Sequence, residues 1–471
     1  MLCRQGYKIK KTELSDKQQS QLVHDLTAKP KTVQGFGGPN QPIVQYPIFL
    51  ESKTSYYVPR FYGQRVFGEP KSIQMTQGES INIHFNGSLR EEQKPIQKLF
   101  LDQKGGGIIS LKCGGGKTVL ALSIIAALQK KTIVVVHKEF LMTQWRDRIQ
   151  QFLPDAKIGK IQQDTVDVDG KDIILSMVQS ISGERDYPKE VFDQFGLAIF
   201  DECHHLGAEV FFKSMRRVSS FYMLGLSATP KRKDGLQWVF ESFIGPIVYQ
   251  TKEVTTEGVE VNVIDYYSED PIYSKQCLNY MGKPNLPKMI NHVCEFEERT
   301  QKILALCQQY YEMGRKVIIL SDRRNHLDCM LHWLLKQEIP SGLYVGGMTP
   351  FALHESQEKD VILGTFSMAA EGMDIPKLNT IILASPKSDV VQAVGRIMRE
   401  KANVRKFHPL IIDINDTHSN FQTFKRQCQK RITFYKQQKY KIMLHKVDGT
   451  IEEYKKTRKP KIKKGICLIE D

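Results

Sequence analysis

Gly105-Gly106-Gly107-Ile108-Ile109-Ser110-Leu111-Lys112-Cys113-Gly114-Gly115-Gly116-Lys117-Thr118, followed by the apolar run Val119 to Leu128, reads as a strand, a glycine-rich turn and a helix in succession. That order is the architecture of a phosphate-binding P-loop. Glycines at 114, 115 and 116 let successive backbone N–H groups converge on an anion with no Cβ in the way. The helix that follows adds the partial positive charge of its N-terminus. Lys117 is spaced to reach β- and γ-phosphates, the Thr118 hydroxyl to ligate Mg²⁺, and Cys113 lies within the same turn. Leu111 stands where the usual pattern asks for Gly or Ala, so the match is not strict. A glycine-rich helix cap would show similar letters; the downstream chain argues against it.

Downstream, Thr132-Ile133-Val134-Val135-Val136-His137 is a continuous β-branched run, as expected of a strand buried on both faces of a parallel sheet. Asp172 to Ser176, Gly196 to Phe200 and Tyr222 to Leu226 repeat the pattern, each running into a polar cluster. Alternating strands and helices predict an open parallel α/β sheet with its ligands at the C-terminal strand ends. There Asp201-Glu202 follows a buried strand directly. Asp201 is assigned to Mg²⁺ and Glu202 to polarising the water that attacks a γ-phosphate. Upstream of the P-loop, Gln93 can offer its amide to an adenine edge, although a plain surface helix would carry the same letters.

Length and composition bound the rest. A chain of 471 residues predicts two to four domains with ample cores. Nothing in it has the length and apolarity of a membrane span, and the first residues lack the apolar core of a signal peptide. Nine cysteines without C-x-x-C spacing argue against a zinc site and a disulfide framework, and fit a reducing intracellular compartment. The net charge of +15 calls for a polyanionic partner, and it is concentrated: residues 401–471 carry 18 Lys and Arg against 7 Asp and Glu.

Taken together, the motifs resemble those of superfamily 2 helicases. Lys117-Thr118, Asp201-Glu202-Cys203-His204 and Ser227-Ala228-Thr229 look like motifs I, II and III. Arg315 to Ser321, Gly364 to Asp374 and Gln392 to Arg399 look like motifs IV, V and VI in the right order. Within the superfamily, Cys-Gly-x-Gly-Lys-Thr with Leu-Arg-x-x-Gln upstream is most like the XPB-type branch. The Val-His-Lys-Glu-Phe-Leu-x-x-Gln-Trp segment looks closest to helicases of large DNA viruses, such as the poxvirus transcript-release DNA helicase. Arg232-Lys233-Asp234 is at best a variant of the Arg-Glu-Asp triplet of XPB, and no role is carried over to it.

The resemblance implies two tandem RecA-like domains with ATP held between them, and DNA rather than RNA as the track, gripped largely without regard to sequence. It implies that Gln392, Arg396 and Arg399 act on the γ-phosphate or its transition state, an arginine so placed being worth on the order of 10³-fold or more. It further implies strand contacts at Gln179, Ser180 and Thr365, coupling through His204, Ser227 and Thr229, and Asp374 near the ribose. A 3′-to-5′ polarity and a link to transcription or replication rest on the resemblance alone. An RNA helicase, a duplex translocase, and a subunit active only within a transcription complex remain open.

The domain expectation is a β-rich accessory domain at 1–88, RecA-like domains at 89–250 and 289–415, a linker at 251–288 and a basic extension at 416–471. Ser55 to Gly63 and Ser80 to Phe85 read as short strands. The Pro59-Arg60-Phe61-Tyr62-Gly63 cluster is either a nucleic-acid stacking surface or, as favoured, a β core with one exposed arginine. The run Lys455 to Lys464 is read as a salt-sensitive nucleic-acid grip over a solvated tail.

Overall fold

The computed structural model describes the chain apart from residues 30–44, 104, 112–113, 184, 186, 205–208, 229–233, 252–257, 372, 374, 376, 399–404 and 455–471, and apart from the side chains of 189, 209–211 and 370–371. The chain divides into two compact units, Met1–Lys252 and Glu253–Asp471.

The first unit is built on an eight-stranded sheet. Its order is Thr165–Asp167, Ile158–Gln162, Ile173–Met177, Thr132–Val136, Leu197–Phe200, Tyr222–Ser227, Gly106–Ser110 and Ile247–Gln250. Every neighbouring pair is parallel except the edge pair 160–162 with 165–167. Alternate residues of the central strand enter two different cores: Ile133 and Val135 one, Val134 and Val136 the other. Both faces are therefore covered, which is why these strands are uniformly apolar rather than alternating.

A small sheet precedes it, ordered Leu50–Glu51, Ser55–Val58, Gly6–Lys10, Leu2–Cys3, Ile73–Gln74. Its side chains Leu2, Tyr7, Ile9 and Val58 share one apolar core with Phe195, Met215 and Phe240 of the larger sheet's layer. The strand read over Ser55 to Gly63 ends at Val58; Pro59 then starts a helix, Arg60–Phe67. Ser80 to Phe85 contributes only an isolated bridge, Ser80 with Lys130.

Arg60 is not exposed. Its guanidinium donates to the Phe221 carbonyl at 2.8 Å and lies over the rings of Phe61 and Phe221. Gly105 has φ +102°, and a Cβ there would come within 1.9 Å of that guanidinium. The arginine thus staples the helix 60–67 to the approach of the P-loop strand, and only glycine fits beneath it.

The second unit repeats the plan. Its order is Ser341–Tyr344, Val361–Gly364, Val317–Leu320, Thr380–Leu383, Leu410–Asp416, Glu260–Tyr266, Lys441–His445 and Ile451–Glu453, parallel but for the last pair. Two expectations are corrected here. Glu260–Tyr266, read as part of a linker, is an interior strand; the helix Gln422–Gln437 and strand Lys441–His445, read as an extension, belong to the same sheet layer.

Two buried ion pairs hold those segments. Arg299 grips Asp416 bidentately, Nε–Oδ1 2.6 Å and Nη2–Oδ2 3.0 Å, and the Tyr273 hydroxyl donates to the same carboxylate at 2.8 Å. Arg431 grips Asp413, Nη2–Oδ1 2.7 Å, and the Tyr435 hydroxyl donates to Asp413 at 3.0 Å. Tyr273 lies in the expected linker and Arg431 in the expected extension, so neither segment is peripheral.

Candidate active site

The P-loop strand Gly106–Ser110 enters the helix Lys117–Leu128 through a turn in which Gly114 and Gly116 have φ +73° and +75°. Both angles are strained for residues with a Cβ. Lys117 and Thr118 occupy the helix's first two positions, where backbone N–H groups have no helical acceptor. Cys113 lies outside the described residues.

Gln93 turns inward. It is buried, its Oε1 accepts from the Arg90 N–H at 3.1 Å, and its Nε2 donates to the Gly115 and Gly116 carbonyls at 3.0 and 3.2 Å. Arg90 adds a bond to the Gly114 carbonyl at 3.3 Å. Those donors aim the loop's carbonyls outward, away from the anion its N–H groups would face. In this arrangement the amide braces the loop.

The acidic pair begins where strand Leu197–Phe200 ends. Asp201 accepts from Trp145 Nε1 at 2.9 Å and from the Glu202 N–H at 3.0 Å. Glu202 has φ +48°, a left-handed conformation for a residue other than glycine, and its Oε1 lies 2.6 Å from Lys117 Nζ. Strain of this kind persists where surrounding contacts over-determine it. His204 Nδ1 is 3.4 Å from Glu202 Oε2 and 3.0 Å from Ser227 Oγ, at the end of the neighbouring strand Tyr222–Ser227. Lys117, Glu202, His204 and Ser227 form one continuous polar chain across three strand ends. Thr229 lies outside the described residues.

Electrostatics separate the two carboxylates. Burial, and then the charge of Glu202, pushes Asp201 above the usual carboxylate range. Burial also acts upward on Glu202, but the Lys117 ammonium beside it, helped by His204, more than offsets this and holds it low. A buried carboxylate pushed up by a like charge favours a cation. The hydroxyl of Thr118 and the carboxylate of Asp201 are hard oxygen donors, so this donor set fits Mg²⁺.

Other expected site residues fall in separate places. Gln179 is exposed at the start of helix Val178–Ser182 and donates to the His137 carbonyl at 3.0 Å. Ser180 is buried, its hydroxyl accepting from the Gln163 N–H at 3.1 Å, so the expected strand contact at Ser180 does not match its orientation. In the second unit Thr365 is half-buried just after strand Val361–Gly364 and bonds Ser367. Gln392 is half-buried on the short helix Val391–Val394. Arg396 lies on the 3₁₀ turn Gly395–Met398, just past that helix, and donates to the Met373 carbonyl at 3.1 Å. Arg399 and Asp374 lie outside the described residues. Trp145 and Arg90 were not singled out as site residues; Trp145 stands in the Gln-Trp pair of the Lys138 to Trp145 segment, which was the available signal.

Residues 73–232 match the family described as Type III restriction enzyme, res subunit, and residues 301–401 match the helicase conserved C-terminal domain. A protein of Acanthamoeba polyphaga mimivirus named "Putative ATP-dependent RNA helicase" is 33% identical, covering 96% of this chain and 88% of that protein. A protein of the same name from African swine fever virus is 25% identical over 90% of this chain and 88% of its own length. The "Putative helicase" of Invertebrate iridescent virus 6 is 26% identical over 80% and 85%. The chain belongs to the superfamily 2 helicases, in the group represented in large DNA viruses. It is an ATP-dependent nucleic-acid helicase.

Proposed function

We propose that this helicase moves on DNA, in the 3′-to-5′ direction, and serves transcription or replication. The observation that carries the motor reading is the chain Lys117–Glu202–His204–Ser227. It ties the P-loop lysine to a second strand end through contacts of 2.6, 3.4 and 3.0 Å. DNA and polarity rest on the XPB-type resemblance of the motifs. The relatives' naming as RNA helicases favours a second reading, an RNA motor.

In the proposed mechanism the triphosphate competes with Glu202 for the Lys117 ammonium. As that ammonium turns to the phosphates, Glu202 loses the charge that held it low, while its burial remains. The carboxylate becomes a stronger base at the moment a water must be polarised. Thr118 and Asp201 are the residues that would hold Mg²⁺, which would supply neutralisation of charge on the phosphate oxygens. His204 reports the change at Glu202 to Ser227. From the second unit, Arg396, Arg399 and Gln392 are the candidates for the transferred phosphoryl group. Exposed Gln179 and half-buried Thr365 are candidates for backbone phosphates, which carry little base information.

The test is the ATPase rate with no nucleic acid, with single-stranded DNA, with duplex DNA and with RNA, the Glu202→Gln protein serving as blank. Stimulation by DNA alone supports the proposal. Stimulation by RNA alone transfers it to the RNA motor, and none by either overturns both.

A further inference from the structure

A second cationic feature lies in the first unit, away from the P-loop. It is a cleft of about 280 Å³ between the small N-terminal sheet and the ends of helices Val178–Ser182 and Glu209–Arg217, lined by Arg4, Lys213, Arg216, Arg217, Tyr187 and Phe192 among others. Two of its cations are committed to the fold. Arg4 pairs with Asp193 at 2.6 Å and donates to the Arg217 carbonyl at 3.1 Å. Arg217 donates to the Ile181 carbonyl at 2.7 Å and lies over Tyr187.

Lys213 and Arg216 make no hydrogen bond or ion pair among the described residues. They are three apart, hence on one face of their helix. Lys213 is exposed and Arg216 half-buried beside a second arginine. Burial, then Arg217, lowers the pKa of Arg216, as expected of a cation without a counter-charge. The helix cannot easily turn away, because Phe212 is stacked on Tyr46 of the N-terminal region at 5.5 Å and 6°. The cations are held, and they face a cleft.

Helix Val178–Ser182 opens with exposed Gln179, and its far end, Ser182-Gly183, forms part of the cleft wall. Four residues of helix span about 6 Å. We propose that Lys213 and Arg216 hold a backbone phosphate of the bound nucleic-acid strand, one helical turn beyond Gln179. This deepens the motor reading and rests on it. It gives the N-terminal sheet, which supplies Arg4, a part in the grip.

The test measures binding of labelled single strands and duplexes to the full chain between about 50 and 200 mM salt. The Lys213→Gln/Arg216→Gln variant should bind about tenfold more weakly near 0.1 M salt, with the log–log salt slope reduced by about 1 to 2. Its melting temperature and nucleotide affinity serve as controls on the fold. Lys213→Gln alone, on an exposed side chain, should reduce the slope by about 1, and the charge-conserving Lys213→Arg/Arg216→Lys protein should keep it. An unchanged slope in the double variant overturns the proposal while leaving the motor reading intact. Wild-type protein that binds no strand overturns both. Low-millimolar inorganic phosphate that raises the melting temperature of wild type only, with unchanged strand slopes, overturns the strand assignment in favour of a free anion.

Discussion

In the first unit the ion pair Lys117–Glu202 sits at the strand ends, its side chains 14% and 16% exposed; in the second, Arg299 and Asp416 are both 0% exposed. The two units share a sheet plan and set their cation–carboxylate pairs in opposite surroundings. At the strand mouth the Lys117–Glu202 pair is partly open to solvent and has room to exchange partners, as phosphate chemistry requires. Toward the C-terminal ends of the second sheet's strands, Asp413 and Asp416 each accept from an arginine and a tyrosine, and Arg299 also donates to the Ala384 carbonyl at 2.8 Å. Nothing is left to exchange. A buried pair of that kind fixes which segments pack together more than it stabilises the fold outright.

The largest effect expected from breaking this contrast is at the mouth. Lys117→Ala or Glu202→Gln should each lower ATP turnover by roughly 10³-fold or more. Equilibrium binding of ATP should survive Glu202→Gln and fail in Lys117→Ala; wild-type turnover in either protein removes the role assigned to it.

Next comes the buried pair. Asp416→Asn leaves Arg299 buried and uncompensated and should cost about 3–5 kcal/mol in chemical denaturation, whereas Arg299→Met/Asp416→Leu should recover much of it. Equal stability of single and double variants would show that the pair is not sealed from water.

A third effect tests burial by pH. His326 is buried, bonded to Ser321 and Thr300, and burial followed by the charge of Arg299 holds its pKa down to about 3. A group whose folded pKa is depressed this way contributes stability above the unfolded value near 6.5, lost as pH falls toward 3. Between pH 6.5 and 5 the loss should be about 2 kcal/mol, and His326→Gln should flatten that part of the profile whatever its starting stability. Parallel profiles would show that the imidazole titrates alike in the folded and unfolded states.

The smallest expected effect sharpens the mouth. Gln93→Ala removes the donor to Gly115 and Gly116 and should weaken ATP binding about tenfold, the worth of one or two hydrogen bonds. An unchanged affinity would mean that the loop holds its shape on its glycines alone.

Much of the site was legible because it is local. A P-loop needs its glycines, lysine and threonine consecutively, and an acidic pair after a uniformly apolar strand can only sit at a strand end. The inward turn of Gln93 was not legible, since a helix start with a glutamine looks the same whether the amide meets solvent or a loop. Nor was the burial of Arg60, whose partners, Gly105 and Phe221, lie 45 and 161 residues away. The segment Glu260–Tyr266 has the apolar spacing of a strand, but local pattern does not say which sheet a strand joins.

The sequence by itself determined the first parallel sheet and the order of the motifs, because these follow from short-range periodicity and spacing, while the second sheet was implied by the resemblance of its motifs. Tertiary structure alone decided which charges stay exchangeable and which are sealed, and where each unit begins and ends. Those outcomes depend on the pairing of Arg299 with Asp416 and Arg431 with Asp413, contacts 117 and 18 residues apart whose strength comes from the exclusion of water around them.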